Sequence, residues 1–244
     1  MEKENIIFGV RPVIEAINAG KEIDKLYIQR DISGSGLTEL RNAIKKAKIP
    51  FSHVPAFKLN KYTSGNHQGV IGFISPVDFH NIETIIPTLY EQGKVPFILV
   101  LDKITDVRNF GGISRTAECA GVDAILIPKR ESAQLNEDAI KTSAGALHRI
   151  PVCKAENLTD AVLFLQASGL KIIACTEKTE NSIYAIDYKS PIAIVMGGEE
   201  KGISNQLLKL CDEKAKIPMV GEIASLNVSV AAAIIIYEAV KQRN

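Results

Sequence analysis

From Val95 onward, short apolar runs alternate with helical stretches. VPFILVLDKI (95–104) is apolar almost throughout, as expected for a strand covered on both faces. ISRTAECAGV (113–122) reads as a helix and AILIP (124–128) as a strand. NEDAIKTSAGALHRI (136–150) holds a helix, and NLTDAVLFLQASG (157–169) holds another with Asn157 or Thr159 as its cap. LKIIACT (170–176), PIAIVMGG (191–198) and KAKIPMV (214–220) read as strands, and a last helix starts near Ser225. Such alternation predicts an α/β domain with a mostly parallel sheet and helices on both faces.

The front of the chain reads as a smaller α/β unit. FGVRPVIEAINAG (8–20) spaces Val10, Val13, Ile14 and Ile17 on one helical face, and Gly20 supplies the stop. DKLYIQR (24–30) is a strand. SGLTELRNAIKKAKIP (35–50) is a helix with Leu37, Leu40, Ile44 and Ala47 on one face, ended by Pro50. FSHVPA (51–56) and GVIGFIS (69–75) are further strands. VDFHNIETIIPTLYEQG (77–93), punctuated by Pro87 and Gly93, is expected to bridge two domains with a short helix inside it. The expected division is therefore 1–76, a linker at 77–93, and 94–244.

Composition narrows the class. With 46% hydrophobic residues, the 244-residue chain can bury a core and is not a disordered tail. Basic and acidic residues number 29 and 28, a balance that neither demands nor excludes a nucleic-acid partner. Cys119, Cys153, Cys175 and Cys211 form no CxxC pair, which argues against a zinc ribbon or redox pair; buried thiols in a reducing cytosol are expected. MEKENIIFGV lacks the apolar core of a signal peptide, and the oily run Val230–Tyr237 falls well short of the ~20 residues that span a bilayer. A soluble, cytoplasmic protein with no membrane partner is expected.

Three loops carry the candidate chemistry, each following an apolar strand, where parallel α/β domains collect ligands. The first, DKITDVRNFGGISR (102–115), sets Asn109 before a helix and Arg115 in its first turns. Its local features fit a capped helix with a surface arginine as well as a phosphate grip, for which arginine's planar fork is suited. The second, IAIVMGGEEKGIS (192–204), has Gly197, Gly198, Glu199 and Gly202. It is neither G-x-G-x-x-G nor a Walker A loop; a plain tight turn explains it about as well as a loop whose free N–H groups hold a ligand. Lys201 and Glu200 are expected to be solvated. The third, MVGEIASLNVSVAAAIIIY (219–237), sets Ser225, Asn227 and Ser229 at the mouth of an oily helix. Ser225 is a candidate cap. Asn227 is a poor interior helix residue, and polar groups at a buried mouth need partners.

Taken together, these stretches resemble the SpoU (TrmH-like) RNA 2′-O-ribose methyltransferases. Asn109-Phe110-Gly111-Gly112-Ile113-Ser114-Arg115 is similar to the family's first motif. Met196-Gly197-Gly198-Glu199-Glu200-Lys201-Gly202 is similar to its second, and Ile217 through Ser229 to its third. The likeness covers about Pro96 to Gln242. Phe8-Gly9-Val10, Val13-Ile14-Glu15-Ala16 and Asn66-His67-Gln68-Gly69-Val70 resemble the L30e-like substrate-binding domain of the RlmB-like branch, which acts on large-subunit ribosomal RNA. Many members have Asp-Pro where this chain has Asp106-Val107, and proline would fix φ there.

The resemblance implies a C-terminal α/β trefoil-knot (SPOUT) domain, which general rules against threaded loops would not suggest. It implies S-adenosylmethionine bound without a metal, RNA (23S rRNA) as partner, and a homodimer whose interface completes the site. It implies Asn109, Arg115, Ser225 and Asn227 as catalytic, with Gly197, Gly198, Ile217, Met219 and Leu226 holding the cofactor. Glu199 and Gly202 would fix the second loop or touch the nucleotide. A free guanidinium has a pKa above ~12, so Arg115 is expected to grip phosphate and steady a developing alkoxide. Arg11, Lys58, Lys61, Arg108, Lys129, Arg130 and Lys141 are candidates for an RNA-facing surface. His67 is expected to pack its loop rather than to catalyse. The alternatives are a tRNA ribose methyltransferase, a ribosome-protecting resistance enzyme, and a non-catalytic RNA-binding assembly factor. A nicotinamide oxidoreductase lacks its glycine fingerprint here.

Overall fold

A computed structural model describes residues 6–199, 201–223 and 225–244; Glu200, expected at the surface, lies outside the described residues. The chain forms two compact units, Met1–Asp78 and Phe79–Asn244.

In the first unit the elements run β1 (Ile6–Phe8), α1 (Val10–Asn18), β2 (Ile23–Gln29), α2 (Leu37–Ala47), β3 (Phe51–Val54), α3 (Ala56–Leu59) and β4 (Val70–Ile74). The sheet order is β1-β4-β2-β3, with β4 antiparallel to both neighbours and β3 parallel to β2. One face of the sheet, through Leu26, Ile28 and Val70, packs on Val13 and Ile14 of α1 and Leu40 and Ile44 of α2. The other face, through Tyr27, Val54 and Ile71, is covered by Leu59 of α3. Strand β1 and helix α3 are too short to leave a periodic signal.

The second unit contains β5 (Phe79–His80), α4 (Ile82–Glu91), β6 (Phe97–Asp102), α5 (Val107–Cys119), β7 (Ala124–Pro128), α6 (Glu137–Thr142), β8 (Val152–Ala155), α7 (Leu158–Ala167), β9 (Lys171–Cys175), β10 (Ile192–Gly197), α8 (Asn205–Leu210), β11 (Glu213–Ala215) and α9 (Val228–Arg243). Its seven strands are ordered β11-β9-β10-β6-β7-β8-β5, and every pairing is parallel. Ile98, Val100, Leu126, Ile172 and Val195 cluster with α4, α7 and α8 on one face. By strand alternation Leu99, Leu101, Ile125 and Ile194, all fully buried, point the other way. On that side α5 and α9 bury Phe110, Ile113, Ala117, Ala232, Ile235 and Ile236.

Several expectations change. The segment 77–93 is not a free linker: β5 pairs with β8, and Ile82, Ile86 and Leu89 of α4 enter the second unit's core. Strand β8, which contains Lys154 and is followed by Glu156, was not expected at all. KAKIPMV is not a strand beyond its start, because β11 ends at Ala215; Met219 and Val220 lie exposed in the coil that follows. Helix α9 starts at Val228, not near Ser225. The thiols are not all buried either, since Cys119 at the end of α5 is exposed. No helix among the described residues is long and apolar enough to cross a membrane.

The last residue of α9 ties the sheet together. Arg243 donates from Nε to Tyr188 O (2.8 Å), from Nη1 to Val95 O (3.1 Å), and from Nη2 to Ser190 O (2.6 Å) and Pro96 O (3.3 Å). Its guanidinium also lies 4.8 Å from the Phe97 ring centroid. Those carbonyls belong to the segments entering β6 and β10, and of the four Pro96 O also accepts the Ile192 N–H at 3.0 Å. Burial lowers the guanidinium's pKa from its ordinary value while the Asp123 charge opposes that shift. Arg243→Ala should therefore destabilise the protein by about 2–4 kcal/mol in urea denaturation, because it strands carbonyls as well as deleting bonds. Arg243→Lys should recover only a fraction, since one ammonium cannot serve four carbonyls on three sides.

Burial pushes the Cys153, Cys175 and Cys211 thiols up to about 12. A thiol with so high a pKa carries almost no thiolate at neutral pH. A disulfide reagent at pH 8 should modify Cys119 first, with the other three reacting only after denaturant is added; mass mapping of the labelled peptides checks this.

Candidate active site

Strands β6 and β10 lie side by side in register, ending with Asp102 opposite Gly197. After β6 the chain lays down β7 and β8 on one side and then β9 on the other before β10 fills the place between β6 and β9. The C-terminal ends of β6 and β10 therefore form a switch point, the usual ligand crevice of an open parallel sheet. Asp102 is buried there. Its carboxylate Oδ2 accepts the Ser204 N–H at 2.7 Å, and its carbonyl accepts the Gly198 N–H at 3.0 Å. It sits at the tip of an apolar run, and its only sequence signal was being the one charge within Phe97–Asp102.

The second loop folds back on this pair. Gly202, at φ 62°, donates its N–H to Gly198 O at 2.8 Å. A Cβ on Gly197 would lie 2.1 Å from the Gly202 carbonyl carbon, and one on Gly198 would lie 2.5 Å from Lys103 O. Glycine is thus required at both positions by backbone packing. The Gly198 N–H is spent on Asp102, so it is not one of the free donors that a ligand-holding turn would offer.

Helix α5 begins after Asp106, whose Oδ1 accepts the Asn109 N–H at 2.7 Å. Val107 is the first helical residue, a position where proline is favoured because its missing N–H is not needed. The Asp106 cap starts the helix at that residue without proline. Asn109 is consequently inside the first turn rather than ahead of it. Its Nδ2 donates to Glu199 Oε1 at 2.9 Å. Asn227 Nδ2 donates both to Asn109 Oδ1 (3.0 Å) and to the same Glu199 oxygen (2.9 Å). Asn227 Oδ1 in turn accepts the Ser229 N–H (3.0 Å) and the Ser229 hydroxyl (2.6 Å), making Asn227 the N-cap of α9.

One carboxylate oxygen and two amides thus clasp all three loops, bridging positions 90 and 118 residues apart in the chain. The expected cap, Ser225, is exposed instead, and the mouth of α9 lies at the surface of the single chain, not buried. Met219 (41%) and Leu226 (37%) are part-exposed and Ile217 is half-buried. Among the described residues, 217–223 and 225–226 make no backbone–backbone hydrogen bond. Arg115 stands apart on α5, exposed, with no hydrogen bond or ion pair to a described residue. Among the described residues no group of His, Cys, Asp or Glu is arranged to hold a metal.

In the first unit, His67 accepts the Gly69 N–H at Nδ1 (2.9 Å) and faces Asn60 Oδ1 from Nε2 (2.8 Å). Gln68 Oε1 accepts the Val10 N–H at 3.1 Å. Both side chains are engaged in holding the loop before β4.

The fold is shared with solved SPOUT methyltransferases. The rRNA methyltransferase of Sinorhizobium meliloti, solved with AdoMet, superposes with a TM-score of 0.63 at 24% identity, over 98% of this chain and 87% of that one. AviRb of Streptomyces viridochromogenes, solved with AdoMet, gives 0.61 at 23%, over 98% and 90%. The A. aeolicus TrmH/SpoU tRNA-modifying enzyme gives 0.55 at 28%, over 66% of this chain and 83% of its own. The C-terminal unit accordingly has the SPOUT fold, a parallel-sheet α/β unit preceded by a small α/β domain.

The family is fixed by sequence. The SpoU rRNA Methylase family model matches residues 96–237, and a model for RNA 2′-O ribose methyltransferase substrate binding matches residues 6–80. A relative in Staphylococcus saprophyticus, assigned to the TrmH family of tRNA/rRNA methyltransferases, is 35% identical over 99% of this chain and 97% of its own. Another in Bacillus subtilis is 30% identical over 100% and 98%. The chain belongs to the SpoU rRNA methylase family.

The glycine geometry yields a paired expectation. Gly197→Ala must push the Gly202–Ile203 backbone aside and should destabilise the second unit by about 3 kcal/mol or prevent folding. Gly221→Ala, with no heavy atom within 4 Å of its added Cβ, should leave the melting temperature unchanged. Thermal denaturation of the two variants side by side checks this.

Proposed function

We propose that this chain transfers a methyl group from S-adenosylmethionine to a ribose 2′-hydroxyl, with a guanosine of 23S rRNA as its substrate. The observation that carries the reading is the clasp of Asn109, Glu199 and Asn227, which gathers the three motif loops at the switch point of the sheet.

The cofactor fits the residues present. Ile217, Met219 and Leu226 supply apolar surface for an adenine. The coil that bears them has backbone groups left over for its polar edges. Gly197 and Gly198 bring the second loop close enough to wall that slot. Bound there, S-adenosylmethionine supplies a methyl group already activated by positive charge, so the protein's part is chiefly positioning.

The Asn109 and Asn227 amides occupy Glu199 Oε1 and leave Oε2 to accept from the nucleotide. Ser225, exposed beside the clasp, reaches the same nucleotide. Arg115 binds the substrate phosphate and stabilises the developing alkoxide. It is too far around α5 to belong to the clasp of its own chain, and a homodimer would supply the missing wall. Exposed Val230 and Tyr237 of α9, together with Val220 and Ile223, form the apolar surface for that second copy. We assign the work to the cytoplasm, where a ribosomal RNA substrate would be met.

Ribosomal rather than transfer RNA is favoured by the front domain. The solved rRNA enzyme aligns over 98% of this chain, and the tRNA-modifying one over only 66%. Incubating the protein with labelled S-adenosylmethionine and either rRNA or tRNA, then mapping the methylated ribose, tests the reading. Transfer to tRNA alone would replace the substrate; transfer to neither would remove the activity.

Two variants probe the roles. Arg115→Ala should abolish transfer, by about 10²-fold or more, with S-adenosylmethionine binding intact by calorimetry. Asn227→Asp should keep the α9 cap, since aspartate caps as well as asparagine. It sets a second carboxylate against Glu199, however, and removes the amide donor. Turnover should fall at neutral pH and partly recover as the pH is lowered and one carboxyl of the pair takes a proton. Equal turnover of Asn227→Asp and wild type across that range would leave Asn227 as a cap alone.

A further inference from the structure

The sheet face of the first unit turned away from α1 and α2 carries three aromatic rings. Tyr27 of β2, Phe73 of β4 and Tyr62 beyond α3 pack against one another, with centroids 5.1 to 5.8 Å apart. Two ammonium groups are held on the Tyr27 ring, Lys25 Nζ at 4.4 Å and Lys58 Nζ at 4.7 Å from its centroid. Burial alone would raise the Tyr27 hydroxyl pKa, but its contacts with the two lysines and Tyr62 outweigh burial and lower it. Beside Lys58 on α3, the Phe57 ring is 64% exposed, and Lys61 Nζ lies 5.9 Å from its centroid.

Tyr27, Tyr62 and Phe73 belong to the unit's core, but folding does not require the exposed ring of Phe57. Leu59, fully buried, already anchors α3 to the sheet, so Phe57 is not needed for the core. The ring quadrupole attracts each ammonium, but two like charges drawn to one ring repel each other. An anion placed across the pair would remove that repulsion. An exposed flat ring with Lys61 over it, next in the chain to a lysine held on Tyr27, is complementary to a polyanion that also offers flat apolar faces. Unpaired nucleic acid has both, whereas a duplex hides its base faces in the stack.

We propose that this face binds an unpaired segment of the RNA substrate, with a base stacked on Phe57 and neighbouring phosphates on Lys25, Lys58 and Lys61. The inference rests on the reading of the chain as an RNA methyltransferase and adds to it where, and in what form, the substrate is gripped outside the SPOUT unit. Such a grip selects RNA by single-strandedness and leaves sequence choice to the rest of the protein.

The test uses the full chain. Binding of a labelled oligouridylate and of a blunt RNA duplex is measured as salt is varied, alongside methyl transfer to rRNA. Wild type should bind the single strand more tightly than the duplex. Phe57→Ala should weaken oligouridylate binding by roughly 5- to 150-fold, and Phe57→Tyr should restore it. The Lys25→Gln/Lys58→Gln double variant should flatten the slope of log affinity against log salt by about 1.4, the value for two phosphate contacts on a single strand. All variants should keep wild-type melting temperature and S-adenosylmethionine binding. Unchanged binding in Phe57→Ala and in the lysine variant, with wild type still methylating RNA, overturns this face while the enzyme reading stands. Wild type preferring the duplex overturns it equally. Variants that bind oligouridylate normally but no longer co-sediment with ribosomal particles would assign the face to a protein. A wild type that neither binds RNA nor transfers methyl removes the enzyme reading, and this proposal falls with it.

Discussion

The site depends on the pairing of β6 with β10, and on the buried carboxylate at the end of that pairing. Two strands far apart in sequence finish level with each other, Asp102 against Gly197. Two loops then leave the sheet from one place. A charged group buried there would be costly unless its oxygens were taken. Asp102 meets that condition by accepting from Ser204, on the far side of the second loop, while its carbonyl accepts from Gly198 at the near side. Both ends of that loop are thereby fixed to the strand that launches the first. The glycines follow from this: with the loop drawn so close, no side chain fits at Gly197 or Gly198.

Given that framework, the clasp needs little further ordering. Asn109 is presented by a helix whose start is set by Asp106, and Asn227 is held by its own capping of α9. Each amide has one end committed to local structure or to its neighbour and the other free to reach Glu199. A carboxylate accepts only, and an amide carries two donors and an acceptor, so the three side chains close with donors and acceptors matched. Being solvent-exposed, the clasp adds little to stability. Its consequence is geometric, because it sets the three loops at hydrogen-bonding distance from one another. A residue that is merely a helix cap in local terms becomes the link between chain segments 118 residues apart.

Much of this was legible in the sequence, for identifiable reasons. The long parallel strands announced themselves because burial on both faces leaves an unbroken apolar run, as at 97–101 and 192–196. The helices α1, α2 and α7 had periodic faces. Strand β8 did not, since its sequence, VCKA, is only four residues long and is interrupted by Lys154. The segment 77–93 read as a linker because Pro87 lies inside α4 and breaks the pattern, although Ile82, Ile86 and Leu89 still fall on one buried face. The end of β11 was misplaced because Ile217-Pro218-Met219 has strand-like composition, whereas its apolar side chains remain outside the core. Motif residues could be named from sequence; that Asn109, Glu199 and Asn227 bond to one another could not, because nothing local encodes a contact across a topological crossing.

The same mismatch bears on how the single chain is completed. The sequence of α9 is oily on nearly all sides, which suggested burial, by its own chain or partly by another. In the single chain Val228, Ala232, Ile235, Ile236, Glu238 and Ala239 are buried, while Val230 and Tyr237 remain exposed near 50%. The preceding coil likewise exposes Val220, Ile223 and Leu226. An apolar helix face continuous with an apolar coil has little to recommend it at a water boundary. It is the composition expected of a surface meant to meet another apolar surface. The coil's unused backbone groups lie next to α9 in the chain, and Arg115 is exposed with no side-chain partner among the described residues. One explanation covers all three: the chain's own folding ends with the clasp, and what remains open is the part of the site that cofactor, RNA and a second copy are proposed to fill.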